Sequence, residues 1–443
     1  MTKPIDLRDL SDADLEAELA RRRGAADEAA GGYAVEVALE DEAHVWVARR
    51  LDAYFSRHEA VQTTAWQACP TCGRRCRVRR KWVARTVRSL HGRHTVRRHY
   101  HYCATCQTGW YPLDAALGWP AEGDVTARVE EVVLDLGLHG PFVEAAERFA
   151  VHHGGTISEN LVRRVVDRVG RCALAHPDLG AQLRPAATTA PTTLVVQLDG
   201  SMLPTRGADP WREAKVGLVA RADHIVANKG RGLITEARFV ARLGDFAGFK
   251  QAVADALRLE RADDSARVVV VGDGAAWVWT VADELCPTAV QILDYPHAVQ
   301  HAAEAAQILF PSASGLDRLF VATVERELTA GRINGLIRDL EACAFAARGR
   351  DRAALVALVR YYRTHRNRLR YDRFRALGFP CGSGAIESAH RHVLQKRMKL
   401  AGQHWDPERA DRLAQLRAAL ATAGPRRLYA AIRSDLRPTG SYN

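Results

Sequence analysis

The 443-residue sequence predicts a mixed α/β protein in which a cysteine-bearing strand module and a helical pair precede a larger domain of strands and helices. Three observations predict it. Five of the nine cysteines crowd into positions 69 to 106, within text that alternates like strands. After residue 193, apolar runs such as "TTLVVQLDG" and "ARVVVVGDG" read as buried strands, separated by the amphipathic stretch "FAGFKQAVADALRLE". From about 300 to 378, and again from 384, the text is helical.

Length alone suggests about three domains. Hydrophobic residues make up 47% of the chain, enough for several cores. No apolar run approaches the roughly 20 residues of a membrane span. The N-terminus "MTKPIDLRDLSDADLEAELA" lacks the basic-then-apolar plan of a signal peptide, so a soluble, cytoplasmic protein is expected. Net charge is +11 and its location is informative. Between Ala60 and Leu113 there are eleven Arg and Lys and no Asp or Glu, so the rest of the chain sums to about zero. A soluble surface normally mixes both signs. A one-sign patch fits a polyanion, because each neutralised phosphate releases counterions.

Residues 1–60 form a helical N-terminal segment, with Ser11 and Asp14 placed as a helix start. Residues 61–118 are the basic, cysteine-bearing unit, with "RKWVARTVRSL" and "HTVRRHYHY" as strands. Cys69-x-x-Cys72 and Cys103-x-x-Cys106 are two knuckles thirty residues apart. Zinc takes four soft ligands tetrahedrally and each knuckle offers two thiolates, so this unit is expected to be a zinc ribbon with structural Zn²⁺. Cys76 is the spare. Arg74, Arg75, Arg79, Arg80 and Lys81 lie between the knuckles and are candidate phosphate contacts. Isolated cysteines such as Cys172 and Cys286 are expected as small buried residues.

Residues 119–182 read as a helix-turn-helix domain. "GPFVEAAERFAVHHGG" is followed by a second helix that Ser158 caps. Leu161, Val162, Val165, Val166 and Val169 form that helix's apolar stripe, while Arg163 and Arg164 fall elsewhere as candidate DNA contacts. An ordinary helical hairpin reads the same way. "LRPAATTAPTT" is a linker. The order from 190 to 300 is three strands, helix, strand, helix, strand, followed by helical segments over 301–378 and 379–443.

Asp199 and Asp273 each end an apolar strand beside Gly, and "AVQILDYPH" is a further strand ending near Asp294. Phosphodiester cleavage needs a clamp on the attacking and leaving oxygens, which two Mg²⁺ ions about 3.5–4 Å apart supply. Mg²⁺ needs only a few carboxylates, with water and phosphate completing the shell. Glu387, in "CGSGAIESAHR", is the candidate third carboxylate. A capping box from Ser383 misses by one residue, and an ion pair with Arg391 remains compatible with metal binding. Arg391, Lys396 and Arg397 supply cations beyond it. Asp294-x-x-His297, with His301 four residues on, lacks the Glu of a zinc helix and is expected to order the site.

The stretches "QLDGSMLPTR", "WREAKVG", "VGDGAAWVWTVADE", "ILDYPHAVQH" and "RNRLRYDRFRALGFPCGSGAIESAHRHVLQKRMKLAGQHW" resemble the DDE transposases of bacterial insertion sequences, most closely the ISKra-type family. The resemblance spans roughly 190 to 420. It implies a ribonuclease-H-like catalytic core with a helical insertion, and it implies that Asp199, Asp273 and Glu387 hold two Mg²⁺ (or Mn²⁺) ions. Asp294-x-x-His297 matches a C/D-x-x-H signature of related transposases. The 114 residues from Asp273 to Glu387 agree with an insertion at about 300–378. Cys381 departs from the apolar residue expected before "GSG". The implied activity is metal-dependent strand cleavage and strand transfer on double-stranded DNA, both transposon ends and target, by a dimer or larger assembly at the nucleoid. A domesticated, non-catalytic DNA-binding regulator and a stand-alone nuclease are the other expectations.

Overall fold

The computed structural model describes residues 10–30, 32–62, 66–119, 123–175, 179–228, 231–311 and 315–434. They gather into two compact units, Met1–Ala173 with Ile432–Asn443, and Leu174–Ala431. The protein is mixed α/β. Among the described residues no helix is long and apolar enough to cross a membrane.

The first unit opens on α1 (Asp12–Ala30) and α2 (Gly32–Ala60). Ser11 starts α1, its hydroxyl oxygen accepting the Asp14 N–H at 3.1 Å. A four-stranded antiparallel meander follows: β1 (Trp66–Ala68), β2 (Arg75–Ser89), β3 (Gly92–Cys103) and β4 (Thr108–Trp110). Alternation puts Val87 and Val96 inside, against Phe55 of α2, Leu113 and Trp119. Asp52 of α2 binds the buried His94 ring at 2.7 Å. The pairing of β2 with β3 slips twice, between Val78 and Arg80 and between Arg80 and Val83.

After α3 (Pro112–Ala116) come α4 (Ala127–His139), α5 (Phe142–His153) and α6 (Glu159–Leu174). The Ser158 hydroxyl oxygen accepts the Leu161 N–H at 3.2 Å and so starts α6. Val162, Val165, Val166 and Val169 are buried, whereas Leu161 is half-buried. The expected pair is a trio, because α4 packs against α6. A side chain at Gly137 of α4 would lie 2.7 Å from Val166 and 2.9 Å from Val162, so only glycine permits this approach.

The second unit begins with α7 (Leu179–Leu183), then β5 (Thr193–Pro204), β6 (Trp211–Arg221), a hairpin of β7 (Ile225–Asn228) and β8 (Arg231–Ile234), and β9 (Arg238–Leu243). Next are α8 (Phe246–Leu259), β10 (Arg267–Gly272), α9 (Ala276–Leu285), β11 (Val290–Leu293) and α10 (Tyr295–Leu309). Helices α11 (Leu316–Thr329), α12 (Ile333–Ala346), α13 (Gly349–His365) and α14 (Tyr371–Ala376) form the predicted helical stretch. The chain returns as α15 (Gly384–His390), a π-helical turn over Arg391–Gln395, α16 (Lys396–Met398) and α17 (Pro407–Ser434).

Five strands form one sheet in the order β11-β10-β5-β6-β9. β10 is parallel to both neighbours, and β6 is antiparallel to both of its own. Leu194, Val196 and Leu198 face the large core with Phe249, Val278 and Ile292. Gln197 and Asp199 therefore project from the opposite face, over which α15 lies. The free edge of β9 is closed by α17: the Leu243 N–H donates to Asp411 at 2.7 Å and the Phe239 N–H to Thr422 at 2.9 Å.

Two expectations need correction. β5 does not end at Asp199 but runs five residues further, since β6 is long enough to pair with it to Pro204. The hairpin β7–β8 stands between the second and third sheet strands where the sequence suggested none.

Candidate functional site

Strand register determines the acidic site. Leu198 of β5, Gly272 of β10 and Leu293 of β11 are aligned neighbours across three parallel strands. Asp199, Asp273 and Asp294 each follow one of these residues, so the three aspartates are in register, Asp273 and Asp294 just past the ends of β10 and β11 and Asp199 within the longer β5. Adjacent strands lie about 4.8 Å apart, and the charge of Asp273 is felt at Asp199.

Each is held differently. Asp199 accepts the Gly200 N–H at 2.7 Å and lies 3.3 Å from Nε2 of His390. Burial first pushes its carboxyl above the usual range, and the charge of Asp273 adds to this, while His390 and the Gly200 N–H pull back. Asp273 turns the chain, accepting the Ala275 N–H at 2.9 Å across Gly274, whose φ of +104° few residues other than glycine adopt. Asp294 has no exposure. Its carboxylate accepts the His297 N–H at 3.1 Å, the His297 ring Nδ1 at 2.5 Å and the Ser383 N–H at 2.6 Å. It is thus both the cap of α10 and an anchor for the loop that starts α15.

Gln197, also buried, completes that anchor. Its amide donates to the Gly382 carbonyl at 3.2 Å and accepts the Ile386 N–H at 3.0 Å. The helical stretch grips the same edge through hydroxyls: Tyr361 donates to the Asp273 carbonyl, Tyr371 to that of Leu293 and Tyr362 to that of Ala298. Beyond α15, the buried Arg417 donates to the carbonyls of His392 and Val393, which the widened π turn exposes.

Glu387 lies on α15 one turn before His390. It is exposed, and its carboxylate accepts the Ser383 hydroxyl at 3.3 Å. It is not gathered with Asp199 and Asp273 into a metal-sized group. Among the described residues the one such group of three or more His, Cys, Asp or Glu is the cysteine cluster. His390 and Gln197 were not anticipated from the sequence, and Ser383 figured there only as a cap one residue out of step with Glu387. His390 was legible only as the residue one helical turn after Glu387.

The cysteine cluster forms in the first unit as the spacing anticipates. The four sulfurs of Cys69, Cys72, Cys103 and Cys106 lie within 4.8 Å of one another. Cys69 and Cys106 are 4.0 Å apart, and Cys72 and Cys103 3.7 Å. A tetrahedral ion with bonds of about 2.3 Å to sulfur sets its ligands about 3.8 Å apart, so the four can hold Zn²⁺. Each knuckle turns on a left-handed residue just after its second cysteine, Gly73 (φ 71°) and Gln107 (φ 52°). The Cys103 thiol is pulled down to about 6, chiefly by the Cys106 backbone N–H. Cys76 stays outside the group, its thiol donating to the Arg74 carbonyl and pushed up by burial.

Of the candidate cations, Arg74, Arg75, Arg79, Arg80 and Lys81 are all exposed on the strand module, as are Arg163 and Arg164 on α6 and Arg391 and Lys396 beyond α15. Arg397 is a correction: it is 1% exposed, with its guanidinium over the Trp405 ring, and cannot meet DNA at the surface. Two arginines of the acid-free stretch, Arg85 and Arg98, turn inward onto the buried Asp114. Trp82 sits in the second slip of β2 with φ of +56° and an indole 51% exposed. A bulky side chain held there costs about 1–2 kcal/mol.

No family model matches the chain, and no curated protein matches it.

Two predictions follow from these contacts. Asp294→Ala orphans a buried N–H of Ser383 and should cost about 1–3 kcal/mol in denaturant unfolding. His297 is raised above 6.5 chiefly by its hydrogen bond to Asp294, so its contribution is full below pH 6.5 and fades as pH rises through the raised value. Asp294→Ala should remove that fade, and an unchanged stability and pH profile would refute the anchor. For the cluster, purified protein should carry about one zinc per chain, and Cys103→Ser should lose it with a lower melting temperature. Metal content near zero in fresh wild-type protein would contradict the site.

Proposed function

We propose that the chain is a DNA transposase of the DDE type, with a ribonuclease-H-like core that cuts DNA and an upstream zinc-ribbon and helix-turn-helix region that recognises transposon ends. The observation that carries the reading is the alignment of Asp199, within β5, beside Asp273, at the end of the neighbouring β10, with α15 brought back over the face from which Asp199 projects. The sheet, in which β6 alone runs against the other four strands, fits the core that the resemblance implies.

The donors fit hard cations. The Asp199 carboxyl is raised first by burial and then by the charge of Asp273, a cost that a cation bound beside Asp199 would relieve. Asp199, Asp273 and Glu387 would hold two Mg²⁺ (or Mn²⁺) ions, which when bound clamp the attacking and leaving oxygens and favour deprotonated water. To join them, the Glu387 carboxylate would have to leave the Ser383 hydroxyl, on a helix that Asp294 and Gln197 anchor. His390 orients Asp199 from its buried side. Arg391 and Lys396 hold the phosphates that flank the scissile bond. Arg163 and Arg164 on α6 and the cations of the strand module supply end binding, and joining two ends requires a dimer or larger assembly.

A second reading, a domesticated DNA-binding regulator, draws on the exposed placement of Glu387 apart from the aspartate pair. One experiment separates the two. The wild type should nick DNA carrying the inverted repeats that flank its gene, with Mg²⁺ or Mn²⁺ present. Asp273→Ala and Glu387→Gln should each lower that cleavage about 100-fold or more while binding of the repeats persists. Binding without cleavage by the wild type would favour the regulator, and cleavage unchanged in either variant would remove the triad.

A further inference from the structure

The strand β2 breaks its own rule in one place. Along most of its length exposed and covered residues alternate, as a sheet face requires. From Arg79 to Trp82 four successive residues are exposed: Arg79, Arg80, Lys81 and Trp82. The two slips in register cause this, because each inserts residues that have no partner on β3. The second slip holds Trp82 in a left-handed conformation that a bulky residue rarely adopts. The Trp82 N–H donates to Nδ1 of His99 at 3.3 Å, and the indole meets that imidazole edge-on with centroids 4.6 Å apart. His99 is itself 1% exposed, and burial holds its pKa below the usual value, which keeps the ring neutral and able to accept. A buried group therefore pins the backbone that lifts a large aromatic ring into solvent directly after three exposed cations in the chain, Arg79, Arg80 (its guanidinium over the Tyr100 ring) and Lys81. The other exposed indole of this sheet, Trp66, is placed differently, with the guanidinium groups of Arg75 and Arg77 over its ring at 5.7 and 5.3 Å.

We propose that Trp82 is a base-stacking contact: its indole takes up a nucleobase displaced from the DNA stack, while Arg79, Arg80 and Lys81 hold the flanking phosphates. The charge around the ring selects a polyanion, and a flat apolar surface among cations matches a strand whose backbone is charged and whose bases are flat. The inference deepens the proposed function and rests on the strand module being a DNA-binding element. It assigns that module a preference for DNA with an unpaired or unstacked base, such as the distorted junction at a cut end, over an intact duplex.

The test uses the full chain and two short DNA duplexes of one sequence. One carries an unpaired 2-aminopurine in a single-base bulge, and the other is fully paired. The wild type should quench the bulged probe and bind it roughly 5-fold or more tightly than the paired one, the scale of a single stacked base. Trp82→Gly keeps the left-handed backbone and removes the ring, so quenching and preference should both vanish while the salt dependence of binding is retained. Trp82→Phe should keep most of both. Zinc content and circular dichroism establish that each variant is folded. Wild-type quenching and preference in Trp82→Gly would overturn the inference alone. If the wild type binds neither duplex even at low salt, the reading of the module as a DNA-binding element fails, and the inference with it. If Trp82→Gly quenches normally but sediments as a smaller species than the wild type, the ring belongs to a contact with a second copy, and the inference is overturned.

Discussion

The buried carboxylate of Asp294 is the constraint on which the acidic site depends. A carboxyl group without exposure is tolerable only when its oxygens are hydrogen-bonded. Here two donors come from His297, on the helix that Asp294 caps, and one from Ser383, eighty-nine residues further along the chain. The same carboxylate thereby ends β11, starts α10 and closes the long helical stretch back onto the sheet. Gln197 repeats the closure from β5 with both ends of its amide. With the backbone bond from the Tyr295 N–H to the Cys381 carbonyl at 2.8 Å, these two side chains specify where α15 begins and so where Glu387 and His390 stand.

The helical stretch is also more than a detour. Its tyrosines at 361 and 371 hydrogen-bond carbonyls at the acidic end of the sheet, one of them that of Asp273 itself, and Tyr362 bonds that of Ala298 in α10. Burial raises the Tyr361 and Tyr362 hydroxyls far above their usual range, so they remain donors throughout the physiological pH span. The sheet thus supplies the carboxylates, and the helices fix the backbone from which they hang.

What the sequence disclosed followed how local each signal was. The two CxxC knuckles were fully legible, because four ligands on two short turns encode their own geometry. The sheet strands were legible as apolar runs, and Asp273 and Asp294 as their final residues. The extent of β5 past Asp199 was not, because it depends on the length of a partner strand. The hairpin β7–β8 carries too little apolar pattern to announce itself. Arg397 read as a surface cation among others, and only tertiary packing against Trp405 turns it inward. Arg85 and Arg98 likewise belong to Asp114, which lies just past the acid-free stretch that made them look available. His390 carries no motif at all, and its meaning comes from standing 3.3 Å from Asp199.

The central claim is that Asp199, Asp273 and Glu387 form one two-metal site. The most direct measurement is anomalous diffraction from crystals of the full chain soaked in Mn²⁺, at the manganese edge. The account predicts two peaks about 3.5–4 Å apart beside Asp199 and Asp273, with the Glu387 carboxylate turned onto one of them. An absence of manganese between the two aspartates at saturating Mn²⁺, with Glu387 still bonded to Ser383, would contradict it.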